Sequence, residues 1–207
     1  SRAEDEADAF ADEEDAAREA ATEAIQATYG VRFPDAFLVT ADDDLYYEPN
    51  WLRKIVEGYP GRNDVVVCRR AHRPRCINSE ILPYNNWDHD VVTGGTIDAC
   101  IFPTTGAGAL FPPGSLSSEA TNKDAFISLC PHADDVWLFA MALRAGSSFR
   151  QVGGGFPQVA WPTSQRTSLM ETNLGETGND RQLAAVIERY RLQSKICAPY
   201  GMPERLS

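Results

Sequence analysis

What this chain has little of limits its chemistry first. In 207 residues no apolar run reaches the ~20 positions that a bilayer-spanning helix needs. The amino-terminal stretch is acidic and Ala-rich, without the charged, apolar and small-residue regions of a signal peptide. No Asn-x-Ser/Thr sequon is present. Cationic residues are outnumbered, 19 Lys and Arg against 30 Asp and Glu, for a formal net charge of −11. That balance argues against a nucleic-acid backbone or an anionic membrane as the main partner. Histidine is scarce, with only His72, His89 and His132, so a His-rich metallohydrolase centre is a poor fit. The five cysteines (Cys68, Cys76, Cys100, Cys130, Cys197) contain no C-x-x-C pair, and their scatter is read as buried thiols rather than a zinc site or disulfide framework. These features lead to the expectation of a cytoplasmic protein with no membrane span, which could be a piece of a longer chain.

Hydrophobic residues make up 43% of the chain, enough for a substantial core. Residues 4–29 contain neither Gly nor Pro and end at Gly30, which predicts an acidic amino-terminal helix within 1–30 with a largely solvated face. Residues 31–207 are expected to form a single α/β domain. Phe37–Thr40 reads as a strand, Pro49–Gly58 as a helix with Trp51, Leu52, Ile55 and Val56 buried, and Asp64–Arg70 as a strand covered on both faces. Ala71–Val92 shows no regular period and is expected to be a long loop of the kind that touches ligands. Ile97–Phe102 and Ala109–Phe111 are expected to pair as a hairpin across the turn Pro103–Gly108. Helices are predicted over Asn122–Cys130, Ala133–Arg144 with Gly146 as cap, and about Asn179–Leu192; Phe149–Val152 is a strand.

The densest chemistry lies just past the first strand, where Asp42, Asp43 and Asp44 precede Leu45-Tyr-Tyr47. If the strand continues, Asp42 and Asp44 share a face and can hold one hard cation, while Asp43 points away. A solvated turn in which one Asp caps the next helix fits equally well. Gly106 and Gly108 permit close backbone approach to a ligand, or simply a tight turn. Asp134 and Asp135 open a helix, where its dipole keeps carboxylates ionised; capping accounts for one, and a general base facing the acid cluster accounts for the second. His132 beside them is either a tuning group or an ordinary surface residue. Trp87, Trp137 and Trp161 offer flat faces for a sugar ring, with core packing the alternative for Trp137.

Taken in order, Asp42-Asp-Asp44, Gly106-Ala-Gly-Ala-Leu-Phe-Pro-Pro113 and His132-Ala-Asp-Asp-Val-Trp137 resemble motifs of nucleotide-sugar-dependent glycosyltransferases with the GT-A fold, in particular family-2-like enzymes of bacterial polysaccharide biosynthesis. Asn173 and Asn179-Asp180 ahead of the last helix are similar to the segment downstream of the base in such sequences. The resemblance spans roughly residues 20–195. It implies a GT-A-like mixed sheet flanked by helices and incomplete at the amino terminus, where family members carry a further nucleotide-binding half. A preceding segment or a partner segment is then expected to complete that half. It implies Asp44 and Asp42 as metal ligands (Mn2+ or Mg2+), and Asp42, Asp43, Gly106 and Gly108 as the cradle of the nucleotide-diphosphate sugar. Asp135 or Asp134 becomes the base that deprotonates a glycan acceptor hydroxyl, with inversion at the anomeric carbon. The competing expectation is a non-catalytic or metal-binding interaction domain that keeps this architecture, and a weaker one is a metal-dependent phosphohydrolase.

Overall fold

The computed structural model describes residues 35–156, 159 and 178–197. The expected helix within 1–30, Trp161 and Asn173 lie outside the described residues. The rest is a mixed α/β domain built on a five-stranded sheet. Its strands are β1 (Leu38–Val39), β2 (Val65–Cys68), β6 (Ile97–Asp98), β8 (Ala109–Phe111) and β9 (Ser148–Gln151). They lie side by side in the order β1–β8–β2–β9–β6. Strands β2 and β9 are parallel, with Val65 opposite Ser148 and Cys68 opposite Gln151. Strand β8 is antiparallel to both β1 and β2, and β6 is antiparallel to β9. The carboxyl ends of β1, β2 and β9 therefore meet the start of β8 at one edge of the sheet.

Strand β2 is wholly buried, as its unbroken Val-Val-Val-Cys run predicts. Val66 and Cys68 join the large core on one face, whereas Val67 joins Ile55, Leu110 and Val152 on the other. That second cluster is small, and helix α1 (Trp51–Glu57) covers it with Ile55 and a half-buried Trp51. Leu52 and Val56, expected on the buried side, are instead 47% and 52% exposed. The layer beneath α1 is narrower than the apolar stripe on the helix.

Helix α2 spans Lys123–Leu129, and Asn122 caps it by accepting the Ala125 N–H. Helix α3 (Asp134–Ala145) comes next and is buried from Val136 through Leu143, so it is apolar around its whole circumference. It packs between the sheet and helix α4 (Gly178–Tyr190), whose Leu183, Val186 and Ile187 form the expected stripe. Only Gly146 and Ser147 separate α3 from β9, so the helix runs back along the sheet and its amino terminus returns to the carboxyl edge.

Three long-range expectations are corrected. The segments 97–102 and 109–111 do not pair as a hairpin. The Asp98 carboxylate accepts the Cys100 N–H and turns the chain. Consequently Ile97–Asp98 pairs with β9, whereas Phe102–Pro103 (β7) pairs with Ala71–His72 (β3), and Ala109–Phe111 inserts between β1 and β2. Residues 71–92 also carry more order than a loop. Cys76–Ile77 (β4) and Glu80–Ile81 (β5) form a two-residue hairpin whose turn residues Asn78 and Ser79 both have positive φ, the geometry that matches strand twist. A single 3-10 turn spans Tyr84–Asn86. Finally, Cys76 is disulfide-bonded to Cys197, just past the short helix α5 (Gln193–Ile196). Cys68, Cys100 and Cys130 are the buried thiols expected, and burial pushes Cys68 and Cys100 up to about 12.

Candidate functional site

At the carboxyl edge, side chains tie the end of β1 to the turn that precedes β8. The Thr40 hydroxyl donates to Thr105 O at 2.9 Å and accepts the Ala109 N–H at 3.0 Å. The Asp42 N–H donates to the Tyr47 hydroxyl at 2.6 Å, and that hydroxyl donates to Gly106 O at 2.5 Å. Trp51 donates its indole N–H to Ala107 O at 2.8 Å. Three side chains thus hold the 3-10 turn Thr105–Ala107.

Both glycines of the turn answer to close approach. A Cβ at Gly106 would stand 2.2 Å from Asp42 Oδ2, so the carboxylate lies directly against that backbone. A Cβ at Gly108 would meet the Trp51 ring at 2.4 Å, and the residue sits at φ +103°, where side chains are strained. Asp43 and Asp44 form a turn instead of extending the strand, so the expected alternation of Asp42 and Asp44 on one face with Asp43 on the other does not apply. Asp42 and Asp43 are exposed and Asp44 is half-buried. All three act on the Tyr47 hydroxyl, which burial first, and then the charges of Asp42, Asp44 and Asp43, hold up to about 12.

The start of α3 reaches the same turn. Thr105 donates its hydroxyl to Asp134 Oδ2 at 3.2 Å. Asp135 accepts the Val136 N–H at 2.8 Å and is half-buried. Desolvation, then the charge of Asp134, and more weakly that of Asp42, push its carboxyl from 3.8 up to about 7. Asp135 in turn acts on the Cys130 thiol and the Tyr84 hydroxyl, both raised chiefly by burial. Tyr84 itself is anchored from α4, because Asp180 accepts its backbone N–H at 2.7 Å.

Asp42, Gly106, Gly108, Asp134 and Asp135 are therefore gathered around one turn, with Asp43 and Asp44 beside Asp42. Other expectations are not met. Trp137 is fully buried and donates its indole N–H to Ala120 O at 3.0 Å; Trp87 is 4% exposed and donates to Leu82 O at 2.8 Å. Neither offers a face to a sugar ring. His132 is exposed, and its backbone N–H donates to Gln182 on α4. Sequence reasoning passed over Tyr47, Thr105 and Tyr84, and read Trp51 only as packing. The Tyr46-Tyr47 pair one residue after the three acids was the one local signal available.

Fold and site together define a mixed α/β domain with a carboxylate-lined rim at the carboxyl ends of its parallel strands, the usual place for ligands in open sheets. No family model, no curated protein and no solved structure matches the chain.

Proposed function

We propose that this domain is the catalytic and acceptor-binding part of a glycosyltransferase that moves a sugar from a nucleotide-diphosphate donor to an acceptor hydroxyl, with inversion. The observation that carries the proposal is the meeting of Asp42, from the end of β1, and the Asp134-Asp135 pair, from the start of α3, at the turn around Gly106. A carboxylate poised near neutral pH is suited to taking a proton from a hydroxyl as that oxygen attacks. Burial and the neighbouring Asp134 raise the Asp135 carboxyl in that direction, and Thr105 holds Asp134 beside it. A single base opposite the leaving group gives inversion, as in inverting glycosidases.

The residues fit a divalent cation (Mn2+ or Mg2+). Asp42 repels Asp135 across the rim, which is the situation a cation relieves, and Asp44 stands on the same turn. Among the described residues no three His, Cys, Asp or Glu side chains form a ready cage. Magnesium-type sites commonly use one or two carboxylates and take the remaining ligands from substrate phosphates. When bound, such an ion offsets the charge developing on the departing nucleoside diphosphate. Asp43 and the Gly106–Gly108 backbone would border the donor. The nucleotide-reading half would come from a preceding or partner segment.

Among the described residues no helix is long and apolar enough to cross a membrane. Cytoplasmic residence would keep Cys76 and Cys197 as neighbouring thiols, whereas their disulfide belongs to an oxidising compartment. Alkylation of free thiols at the moment of lysis separates the two.

Calorimetry with Mn2+ and uridine, guanosine and thymidine diphosphates tests the function. Metal-linked nucleotide binding that Asp42→Asn abolishes is the expected result, with Asp135→Asn keeping binding but losing transfer. Metal uptake without any nucleotide response would identify a non-catalytic domain instead.

A further inference from the structure

Arg69, the residue after β2, is 4% exposed, and among the described residues no carboxylate is paired with it. Its Nη1 donates to Val152 O at 2.8 Å, the single side-chain hydrogen bond it makes among the described residues. Its Nε–H is buried and has no hydrogen-bond partner among the described residues. No described carboxylate forms an ion pair with it. Glu48 feels its charge but is bound to Lys54. A water could satisfy the N–H but not the charge, and an unpaired buried cation is costly.

A surface pair in the same chain shows what such a guanidinium edge can hold. On the surface, Arg62 grips Asp64 in a fork, Nε to one carboxylate oxygen at 3.0 Å and Nη2 to the other at 2.5 Å. In Arg69 that same Nε/Nη2 edge is buried and makes no hydrogen bond among the described residues, while Nη1 is pinned and the backbone is fixed on both sides: its N–H donates to Gly108 O at 3.0 Å, and its carbonyl accepts Gln151 Nε2 at 3.1 Å. Gly153, at φ +86°, leaves room for the guanidinium itself, since a Cβ there would collide with Nη1. The guanidinium is held in place before any ligand arrives, which is how a planar fork binds an oxyanion with little loss of rotamer freedom.

Its position supplies the context. Arg69 and Val152-Gly153 follow the two parallel strands at the carboxyl edge, next to the Gly108 backbone that packs under Trp51. The turn leaving β9 runs from there to Phe156, whose ring lies 5.7 Å from that of Tyr47. We infer that Arg69 is an oxyanion-binding residue of the rim, two strands away from Asp42, and that it receives a carboxylate or phosphate group carried by the acceptor. The assignment to the acceptor rests on the transferase reading; the oxyanion site itself does not. An acidic glycan, bearing uronic carboxylates or phosphate substituents, is then the acceptor class.

The test is thermal unfolding of the intact protein, titrated with sodium glucuronate, inorganic phosphate and, as a neutral control, glucose, at ionic strength matched with chloride. Wild type is expected to show a saturable rise in melting temperature of a few degrees with one or both anions and none with glucose. The stronger anion identifies the group recognised. Arg69→Met is expected to lose the rise without melting lower than wild type in anion-free buffer, because it removes an uncompensated buried charge. Arg69→Lys, which keeps the charge but not the fork, is expected to weaken the response at least tenfold in midpoint. No response in wild type, or an equal response in both variants, overturns the inference. Asp42→Asn and Asp135→Asn should retain the anion response. If metal-linked nucleotide binding fails while this response persists, the transferase reading falls and the oxyanion site stands.

Discussion

The floor of this domain and its rim are built by opposite rules, although the same helix contributes to both. From Val136 to Leu143, α3 is buried throughout, and its one polar indole, Trp137, finds the Ala120 carbonyl. One turn earlier, Asp134 and Asp135 crowd a second acid site, and Asp135 is held far from its ordinary ionisation. Along α3 the floor satisfies its one polar side chain, whereas the rim brings like charges together, Asp135 beside Asp134 and near Asp42, and leaves the buried Arg69 Nε–H without a hydrogen bond among the described residues. Groups arranged in this way favour a ligand over the empty state, and their surroundings pay with stability. Changes in the floor should therefore cost stability, and changes in the rim should cost binding and chemistry while leaving stability unchanged or improved.

The largest expected effect breaks the floor. Trp137→Ala removes a fully buried indole and leaves the Ala120 carbonyl unmatched, and should cost about 3–5 kcal/mol in urea unfolding. Next, Asp135→Asn should lower transfer roughly 10²–10⁴-fold, the usual range for a general base, with the far-ultraviolet spectrum unchanged. The same variant carries a pH signature. Because the folded carboxyl holds its proton up to about 7 and the unfolded one releases it near 3.8, metal-free wild type loses stability as pH rises through that window. Asp135→Asn should flatten this slope and melt higher than wild type at pH 8, while differing least at pH 4; a variant that melts lower at pH 8 would place Asp135 with the floor. Cys76→Ser, remote from the rim, should cost about 2–4 kcal/mol, with transfer at low temperature retained. The smallest effect sharpens the boundary: Gly106→Ala pushes a methyl group against Asp42 Oδ2 and should weaken metal-linked binding roughly 10–100-fold, as loss of a ligand's supporting contact does, with little change in melting temperature.

How much of this was visible in the sequence depends on the range of the interactions. Strand β2 and helices α3 and α4 were legible, because a Val run, two acids in a first turn and a Leu183–Val186–Ile187 stripe are local signals. The pairing of β6, β7 and β8 was not. It depends on Asp98 turning the chain at Cys100 and on β8 finding the gap between β1 and β2, neither of which is a periodic pattern. The acids of the site could be picked out because acids cluster in sequence as well as in space. The groups that hold them could not: Tyr47 acts on Gly106 O and Thr105 on Asp134, through single hydrogen bonds to distant parts of the chain. Leu52 and Val56 were misplaced because a helical stripe records which residues are apolar, not how wide the layer beneath will be. The Cys76–Cys197 bond joins positions 121 apart, a pairing that spacing alone does not reveal.

That bond also decides how the molecule would yield to a pulling force. Tension applied to the two ends of the chain passes through the sulfur bridge, so the ring between Cys76 and Cys197, roughly 40 nm of contour length, bears no load while the bridge is intact. Asp134 and Asp135 lie inside this shielded ring; Asp42, with β1, α1, β2 and Arg69, lies outside it on the loaded strand. Stretching in an optical trap should peel β1 and β2 away from β8 and β9 in a first, short extension and part the two acid groups, with the hidden length appearing only after a reductant is added.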